Sequence, residues 1–296
     1  MTDGALLLDK PVGLTSNRAL QEVKKLLAVK KAGHGGTLDP LASGLLLILV
    51  GEGTKFAGPV LDADKEYLAT VRLGVTTTTA DAEGEVLEQR PVEVSAEQVA
   101  TVLNRFRGPI DQLPPMHSAL KHEGVPLYKH ARAGRTIERA RRRVEIYELE
   151  ILQCAPPILE LRVRCSKGTY IRTLAEDIGA ALGTGGHLAA LRRTGSGRFD
   201  VRSAVTLDEL RAMPDRRPAL LPLRILLEGL PRTELDAAAE ARLRNGQSLK
   251  ISGLEAGLLA LYRADGEVIG LGEAHAEGVV KPLRLTQAAE KHRKTL

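Results

Sequence analysis

The sequence contains no tryptophan, and aromatic residues make up only 3% of its 296 positions. Wide stacking platforms for single-stranded nucleic acid need several aromatic side chains, so we do not expect one here. Cysteine is also scarce, since Cys154 and Cys165 are the only two. Their spacing fits neither a disulfide framework nor a zinc knuckle, and the histidines do not cluster with them. The sequence therefore predicts no metal site and no disulfide framework.

Long apolar runs are absent as well. The run Leu45–Val50 is far shorter than the roughly 20 residues of a membrane-spanning helix. The apolar stretch within MTDGALLLDK is interrupted by Asp9, which makes it too short for a signal peptide. Hydrophobic residues make up 43% and charged residues 27%, as in ordinary globular domains. We expect a soluble, cytoplasmic protein.

The formal net charge is only +5, so the position of the charges is more informative than their sum. Between Lys129 and Arg143 there are seven Lys or Arg residues and a single acidic residue, Glu138. Such a run is often a solvated helix face, but its local excess of positive charge favours contact with a phosphate backbone. The candidate RNA-contacting residues are Arg132, Arg139, Arg142 and Arg143.

Helical and strand-like periodicities alternate along the chain. Residues 15–31 read as a helix capped by Thr15 or Ser16, and Ser95 with Gln98 reads as a capping box. Leu45–Val50 reads as a buried strand, and 159–165 alternates apolar and charged residues as a half-buried strand does. Strands joined by helices without repeated βαβ units predict an α+β fold, with a mixed or antiparallel sheet flanked by helices.

The composition changes near residues 214–231, where proline and leucine are concentrated. Beyond this stretch, Thr233 with Asp236 predicts the start of a short helix, and Asp265-Gly266 predicts a hairpin turn. We therefore expect a large domain over residues 1–228, with a basic insertion over about 108–143 that suits contact with a phosphate backbone. A small C-terminal β-barrel is expected over 229–296.

The segment GHGGTLDPLAS (33–43) contains one acidic residue, Asp39, among glycines and a proline. It lacks the Gly-Lys-Ser/Thr ending of a P-loop, and GTGGH (183–187) is not framed as a dinucleotide fingerprint. No second carboxylate lies close by in sequence, so a glycosidase-type pair is not visible. The residues alone leave two readings open, an Asp-Pro turn that binds a backbone amide or a catalytic carboxylate.

Longer segments carry more information than this loop alone. They are DKPVGLTSN (9–17), GHGGTLDPLASGLLLILVGEGTKF (33–56), KEYLATVRLG (65–74), QLPPMHSALKHEGVPLYKHARAG (112–134), SKGTYIRTLAEDIG (166–179) and LRRTGSG (191–197). In this order and spacing they closely resemble the TruB family of tRNA pseudouridine synthases. The resemblance covers nearly all of residues 5–210. The C-terminal segment resembles, less closely, the PUA RNA-binding barrel that often accompanies this family.

The resemblance implies roles for individual residues. Asp39 matches the family's essential aspartate, Tyr67 the tyrosine that packs on the target base, and Arg172 the arginine paired with the aspartate. His34 matches the histidine that holds the displaced uridine. Lys10 belongs to the first motif, which supports the catalytic loop.

Each residue also has a structural interpretation that needs no RNA. Tyr67 lies on the apolar face of its strand and suits a core position, while Arg172 is placed to pair with Glu176 at i+4. His34 could cap a helix terminus. Tyr170 is a candidate for substrate contact that suits core packing at least as well.

The implied activity is that of a stand-alone enzyme that isomerises the T-loop uridine, position 55 of tRNA, to pseudouridine. It needs no metal or organic cofactor, no obligate protein partner and no membrane, and we expect a monomer whose partner is tRNA. His117 stands where the family commonly carries Tyr or Phe, and its role stays open. The alternatives are a relative of the guide-RNA-dependent enzymes, or a non-catalytic RNA-binding or RNA-folding protein.

Overall fold

A computed structural model describes residues 3–287, which form two large sheets and two small two-stranded sheets. The α-helices of this part of the chain are α1 (Ser16–Leu26), α2 (Ala57–Asp62), α3 (Ala96–Asn104), α4 (Leu127–Arg132), α5 (Ile171–Ala181), α6 (Leu207–Ala212) and α7 (Ala237–Arg244). The strands are β1 (Gly4–Lys10), β2 (Ala32–His34), β3 (Ala42–Val50), β4 (Lys65–Leu73), β5 (Val75–Thr77), β6 (Val86–Gln89), β7 (Gly108–Gln112), β8 (Lys121–His122), β9 (Val125–Pro126), β10 (Arg142–Ala155), β11 (Ile158–Cys165), β12 (Gly186–Ser196), β13 (Phe199–Asp200), β14 (Val205–Thr206), β15 (Arg232–Leu235), β16 (Leu249–Lys250), β17 (Gly257–Arg263), β18 (Val268–Ala274) and β19 (Val279–Leu285).

The larger sheet has the strand order β14-β1-β3-β12-β4-β11-β10-β7, with β2 paired to β3 and β13 to β12. The pairs β1–β14 and β3–β12 are parallel, and the other pairs of this sheet are antiparallel. The prediction of an α+β fold built on a mixed sheet is confirmed.

The apolar run in β3 exists because this strand is buried on both faces. Leu46 and Ile48 pack in one core cluster with α1 and α5. Leu45 and Leu47 point to the other face, where Phe56 and residues of the C-terminal sheet cover them. A strand covered on both faces reads as a continuous hydrophobic run rather than an alternation. This double burial fixes the strand from which the Asp39 loop emerges.

The C-terminal sheet has the order β15-β17-β18-β19-β16 and curls around its own core of Leu235, Leu243 and Leu259. The predicted Asp265-Gly266 turn joins β17 to β18, and the fold fits the expected PUA-like barrel. The predicted helix start at Thr233 is wrong. Thr233 lies in β15, and Asp236 caps α7 by accepting a hydrogen bond from the Ala239 amide at 2.7 Å.

The helix predicted over 15–31 begins as expected, with Thr15 as its N-cap, but ends earlier. Its last residue is Leu26, and Ala28 has a positive φ of 52° that ends the helical path. The capping box of Ser95 and Gln98 is confirmed. No helix within residues 3–287 is long and apolar enough to cross a membrane. The division at residues 228 and 229 stays a prediction.

Candidate active site

The loop between β2 and β3 carries Asp39 and is held by hydrogen bonds from two sides. The buried Ser16 hydroxyl donates to the Leu38 carbonyl at 2.9 Å and accepts from the Leu38 amide at 2.7 Å. The Gly13 amide donates to the Pro40 carbonyl at 2.8 Å. These bonds fix the backbone on both sides of Asp39, which therefore occupies a rigid turn.

Arg193 also holds the Asp39 loop in place, and it was not among the residues predicted from the sequence. It is 1% exposed and lies in register between Gly44 of β3 and Tyr67 of β4. Its Nε donates to the Leu45 carbonyl at 2.7 Å, and a terminal nitrogen donates to the Gly36 carbonyl at 3.2 Å. The sequence held one signal for this position, the consecutive arginines of LRRTGSG. Because consecutive strand residues point to opposite faces, one of the two must point into the protein if the strand is covered on one side.

Tyr67 lies on β4, opposite Val163 of β11 and Arg193 of β12. It is 8% exposed and belongs to the main core cluster. Burial raises the pKa of the Tyr67 hydroxyl, and the positive charge of Arg193 opposes the shift. The phenol is therefore neutral at physiological pH and keeps a proton to donate.

Arg172 lies in the first turn of α5 and is 5% exposed. Its Nε is 3.1 Å from an Asp39 carboxylate oxygen, and another guanidinium nitrogen is 3.4 Å from Asp81. A terminal nitrogen donates to the His117 carbonyl at 2.7 Å. The ion pair with Glu176 allowed by sequence spacing is not among the ion pairs of residues 3–287. The guanidinium instead joins three distant segments.

Asp81 is a member of this cluster that the sequence reasoning missed. It is 3% exposed and accepts hydrogen bonds from the Thr79 hydroxyl at 2.5 Å and the Glu83 amide at 3.0 Å. It precedes a glycine-containing turn in TTTTADAEGE, which in sequence reads as an ordinary loop. A bridge between Asp81 and Leu188 holds this segment beside β12, and Arg172 also donates to the Thr79 carbonyl at 3.4 Å.

The ionisation of Asp39 depends on competing influences. Burial raises the pKa of its carboxyl group, Arg172 lowers it, and the nearby Asp81 raises it again. Lys10 and His117 add weaker lowering effects. The net shift is upward, although the side chain keeps 40% exposure. The carboxylate is thus desolvated and aimed by Arg172 while one side stays open to a ligand.

His34 and Lys10 flank the loop in different ways. His34 is half-buried on β2; burial lowers the pKa of its imidazole, and Arg193 lowers it further. Within the described residues, its buried Nδ1 has no hydrogen-bond partner. Lys10 is fully buried, and its ammonium donates to the carbonyls of Pro11 and Leu14 at 2.8 and 2.7 Å. Lys10 therefore fixes the turn between β1 and α1, whose Gly13 amide binds the Pro40 carbonyl beside Asp39.

The remaining candidates lie on the insertion and at its ends. Tyr170 is the N-cap residue of α5, and burial raises the pKa of its hydroxyl. Arg132 lies over the ring of Tyr128 at 5.5 Å. Arg142 and Arg143 are exposed at the start of β10, whereas the Nε of Arg139 is buried without a partner among the described residues. These arginines lie outside the cluster around Asp39.

Solved structures resemble this fold over almost its whole length. One, titled "Crystal Structure of a Cbf5-Nop10-Gar1 Complex", has a TM-score of 0.74 and 29% identity, covering 96% of this chain and 85% of that chain. A second, "Structure of H/ACA RNP bound to a substrate RNA containing 2'-deoxyuridine", has a TM-score of 0.74 and 27% identity, covering 98% and 86%.

Family descriptions and curated relatives agree with this fold. Residues 24–171 match "TruB family pseudouridylate synthase (N terminal domain)", 172–228 match "tRNA pseudouridylate synthase B C-terminal domain", and 231–286 match "Pseudouridine synthase II TruB, C-terminal". A Burkholderia pseudomallei (strain 668) protein named tRNA pseudouridine synthase B is 55% identical, covering 96% of both chains. Its namesake from Ralstonia pickettii (strain 12J) is 58% identical, covering 88% of this chain and 82% of the relative.

The mixed sheet and these matches place the chain among the pseudouridylate synthases. Within that class, the chain belongs to the TruB family.

Proposed function

We propose that this protein isomerises the T-loop uridine at position 55 of tRNA to pseudouridine, with Asp39 as the catalytic carboxylate. The observation that carries the proposal is the Asp39–Arg172 pair, 3.1 Å between Nε and Oδ2, in a loop fixed on both sides. The names of the relatives, tRNA pseudouridine synthase B, support tRNA as the substrate.

The reaction is an isomerisation and needs no external oxidant or reductant. The bond between N1 of uracil and C1′ of ribose breaks, the base turns, and a bond forms between C5 and C1′. C5 then releases its proton to solvent and N1 takes one up, so the product has the same composition as uridine. The Asp39 carboxylate acts either as a nucleophile or by stabilising positive charge that develops on the ribose. Arg172 keeps this carboxylate ionised and oriented.

Tyr67 and His34 are proposed to handle the base. Tyr67 supplies a rigid ring for stacking, and its protonated hydroxyl can exchange a proton with the sugar or base. The unpartnered Nδ1 of His34 is available to a displaced nucleotide. Extracting a base from a folded loop costs a few kcal/mol of stacking and pairing, and contacts of this kind offset that cost.

The insertion is proposed to grip the RNA backbone. Arg142 and Arg143 are exposed at the start of β10, and Arg132 and Arg139 lie on the preceding segment. Guanidinium groups bind phosphates at charge-assisted hydrogen-bond distance. Tyr170, at the base of the insertion, is proposed to contact the substrate from the side of α5.

The decisive experiment uses a T-loop hairpin transcript carrying tritium at uridine C5 and the purified protein alone. Release of tritium is expected, because C5 gives up its hydrogen when it becomes the glycosidic carbon. Absence of release would contradict the proposed activity. Release that required an added guide RNA would instead favour the guide-dependent alternative, which the similarity to the Cbf5 complex raises. The 54–58% identity to proteins named tRNA pseudouridine synthase B favours the stand-alone enzyme.

The variant Asp39→Asn separates catalysis from binding. It keeps the size of the side chain but removes the negative charge, so RNA binding should survive while pseudouridine formation disappears. A variant that still forms pseudouridine would contradict the role given to Asp39. A wild-type protein that binds the hairpin but never converts it would indicate a non-catalytic RNA-binding function.

We further propose that the protein acts in the cytoplasm as a monomer without an obligate protein partner. We expect the purified chain to convert the hairpin without any added protein. We also expect it to sediment with a mass close to that of one chain, 31.9 kDa. Activity that appears only in a dimer or with an added protein would overturn this proposal.

A further inference from the structure

Gln112 joins the insertion to the helix that carries Arg172. It is the last residue of β7 and is 1% exposed, which is unusual for a glutamine at the end of an edge strand. In the antiparallel pair of β7 and β10, its partner is Arg142, the first residue of β10. Gln112 therefore occupies the neck of the insertion, where the chain leaves the sheet and returns to it.

The side-chain amide of Gln112 makes two hydrogen bonds to the backbone of one residue. Its Oε1 accepts from the Tyr170 amide at 2.9 Å, and its Nε2 donates to the Tyr170 carbonyl at 3.2 Å. Tyr170 is the N-cap of α5 and has no side-chain cap of its own. A helix N-terminus leaves its first amides and its entry geometry undetermined unless another group fixes them. Gln112 supplies that group.

Two further contacts bind the same segments together. The His117 carbonyl accepts a hydrogen bond from Arg172 at 2.7 Å, and the Thr173 hydroxyl donates to the Leu113 carbonyl at 3.5 Å. Because a helix rises about 1.5 Å per residue, Arg172 lies only about 3 Å further along the axis than Tyr170. A shift at Tyr170 must therefore move the guanidinium relative to Asp39.

We propose that Gln112 is a positioning residue for the Asp39–Arg172 pair, and that it couples the neck of the insertion to the active site. This inference rests on the proposed function, because it assigns Gln112 a part in that reaction. Gln112 contacts neither Asp39 nor the RNA in this account. It acts through the first turn of α5, so the placement of the insertion and the aim of Arg172 are set by the same side chain.

The test variant is Gln112→Met, which keeps the length of the side chain and removes both hydrogen bonds. The single-turnover rate on a saturating T-loop hairpin should fall about 10- to 100-fold, the effect of a misplacement of about 1 Å. The dissociation constant for the RNA should change less than about threefold, since the arginines of the insertion remain. The acid limb of the pH–rate profile should move to higher pH, because a displaced Arg172 no longer stabilises the Asp39 carboxylate as well.

The matched control is Thr184→Val. Thr184 is 6% exposed and donates to the Gly185 carbonyl at 2.8 Å just beyond the other end of α5. This variant also loses a buried hydrogen bond from side chain to backbone, so it should lower the melting temperature without moving the acid limb. If Gln112→Met does not fold, Gln112→Asn takes its place. It keeps an amide in the cavity but is too short to reach both atoms of Tyr170, and the same shift is expected.

An unchanged acid limb in the Gln112 variant would overturn the inference, whatever its rate. An equal shift in Thr184→Val would do the same, because it would mean that general loosening of α5 suffices. A wild-type protein that releases no tritium from the hairpin would instead contradict the proposed function.

Discussion

At the scale of single residues, the site balances charges of both signs in a partly desolvated pocket. Asp39 and Asp81 are both held by Arg172, at 3.1 and 3.4 Å. Burial raises the pKa of Asp39, and repulsion from the Asp81 carboxylate raises it further, because two carboxylates that share one guanidinium repel each other. The arrangement favours a reactive carboxylate over a stable fold.

The variant Arg172→Gln should move the acid limb of the pH–rate profile to higher pH. In the proposed reaction Asp39 acts as an ionised carboxylate; burial already raises its pKa, and Arg172 is the strongest influence that lowers it. Activity at neutral pH should fall about 100-fold or more, as when other groups that stabilise charge in an active site are removed. Single-turnover rates across the pH range measure both effects. A lower rate with an unshifted limb would contradict this role for Arg172.

The variant Asp39→Asn should melt at a higher temperature than the wild type at pH 7. A carboxyl group whose pKa is raised by folding binds its proton more tightly in the folded state, so its ionised form destabilises the fold. This loss of stability is fully present above the pKa of Asp39 in the folded state, and it disappears as the pH falls below the pKa of Asp39 in the unfolded state. Thermal melts followed by circular dichroism at pH 7 and at pH 3 test this. A control is Asp62→Asn, an exposed surface partner of Lys167, which should leave the melting temperature nearly unchanged.

At the scale of secondary-structure elements, ion pairs matter where they are shielded from solvent. Glu240 of α7 binds Arg244 on its own helix and Arg263 on β17, at 2.8 and 2.7 Å. Its side chain is 12% exposed, and hydrogen bonds from the arginines lower its pKa to about 2. This group fastens the helix of the C-terminal domain to its sheet.

The variant Glu240→Gln should destabilise the C-terminal domain at neutral pH by on the order of 3 kcal/mol. The depressed pKa means that this stability is present above about pH 4.5 and is lost as the pH falls through about 2. Hydrogen exchange of the amides in β17 in the full-length protein provides the measurement. Glu234→Gln is the matched control, because its pair with Arg232 is 56% and 52% exposed and such pairs contribute little.

Positive charge on the insertion should contribute to RNA binding through contacts with phosphates. Replacing Arg139, Arg142 and Arg143 with alanine should reduce the slope of log binding constant against log salt by about 2 to 3, if each binds one phosphate. Arg162 and Arg164 are the control pair, since Glu150 and Glu148 already neutralise them. An unchanged slope in the triple variant would mean that these arginines do not bind phosphates and form an ordinary solvated surface.

At the scale of the whole molecule, the two sheets share a core. Phe56 is fully buried and packs in a cluster that contains Leu7 and Leu47 of the larger sheet and Tyr262 of the C-terminal sheet. Lys55, beside it, donates to the Leu285 carbonyl at 2.8 Å. The C-terminal sheet therefore covers one face of β3, the strand that directly follows the Asp39 loop.

The variant Phe56→Ala should lower the free energy of unfolding by about 3–5 kcal/mol and reduce hydrogen-exchange protection in both sheets. Leu259→Ala, in the separate C-terminal core, should reduce protection mainly there. Urea unfolding combined with hydrogen exchange distinguishes the two. If both variants lost hydrogen-exchange protection equally, and only in the C-terminal sheet, the shared core would not couple the two sheets.

Local sequence pattern determined the elements and the chemistry of single residues. The capping box at Ser95 and the Asp265-Gly266 hairpin follow from contacts within a few residues, and the apolar run of β3 already marks a buried strand. The motif around Asp39 pointed to the candidate carboxylate, and the RTLA segment to Arg172, because long ordered motifs leave few alternatives.

Tertiary structure alone decided which residues hold Asp39 and Arg172 in place, directly or through a neighbouring segment. Asp81, Arg193 and Gln112 lie far from Asp39 in the sequence, and no local periodicity marks them. They converge because β12 lies between β3 and β4, and because the neck of the insertion packs on the first turn of α5. Strand order and register arise from long-range hydrogen bonding and packing, whereas periodicity records only which face of an element is buried. The sequence by itself therefore identified the candidate carboxylate, and the fold determined the groups that hold it and shift its pKa.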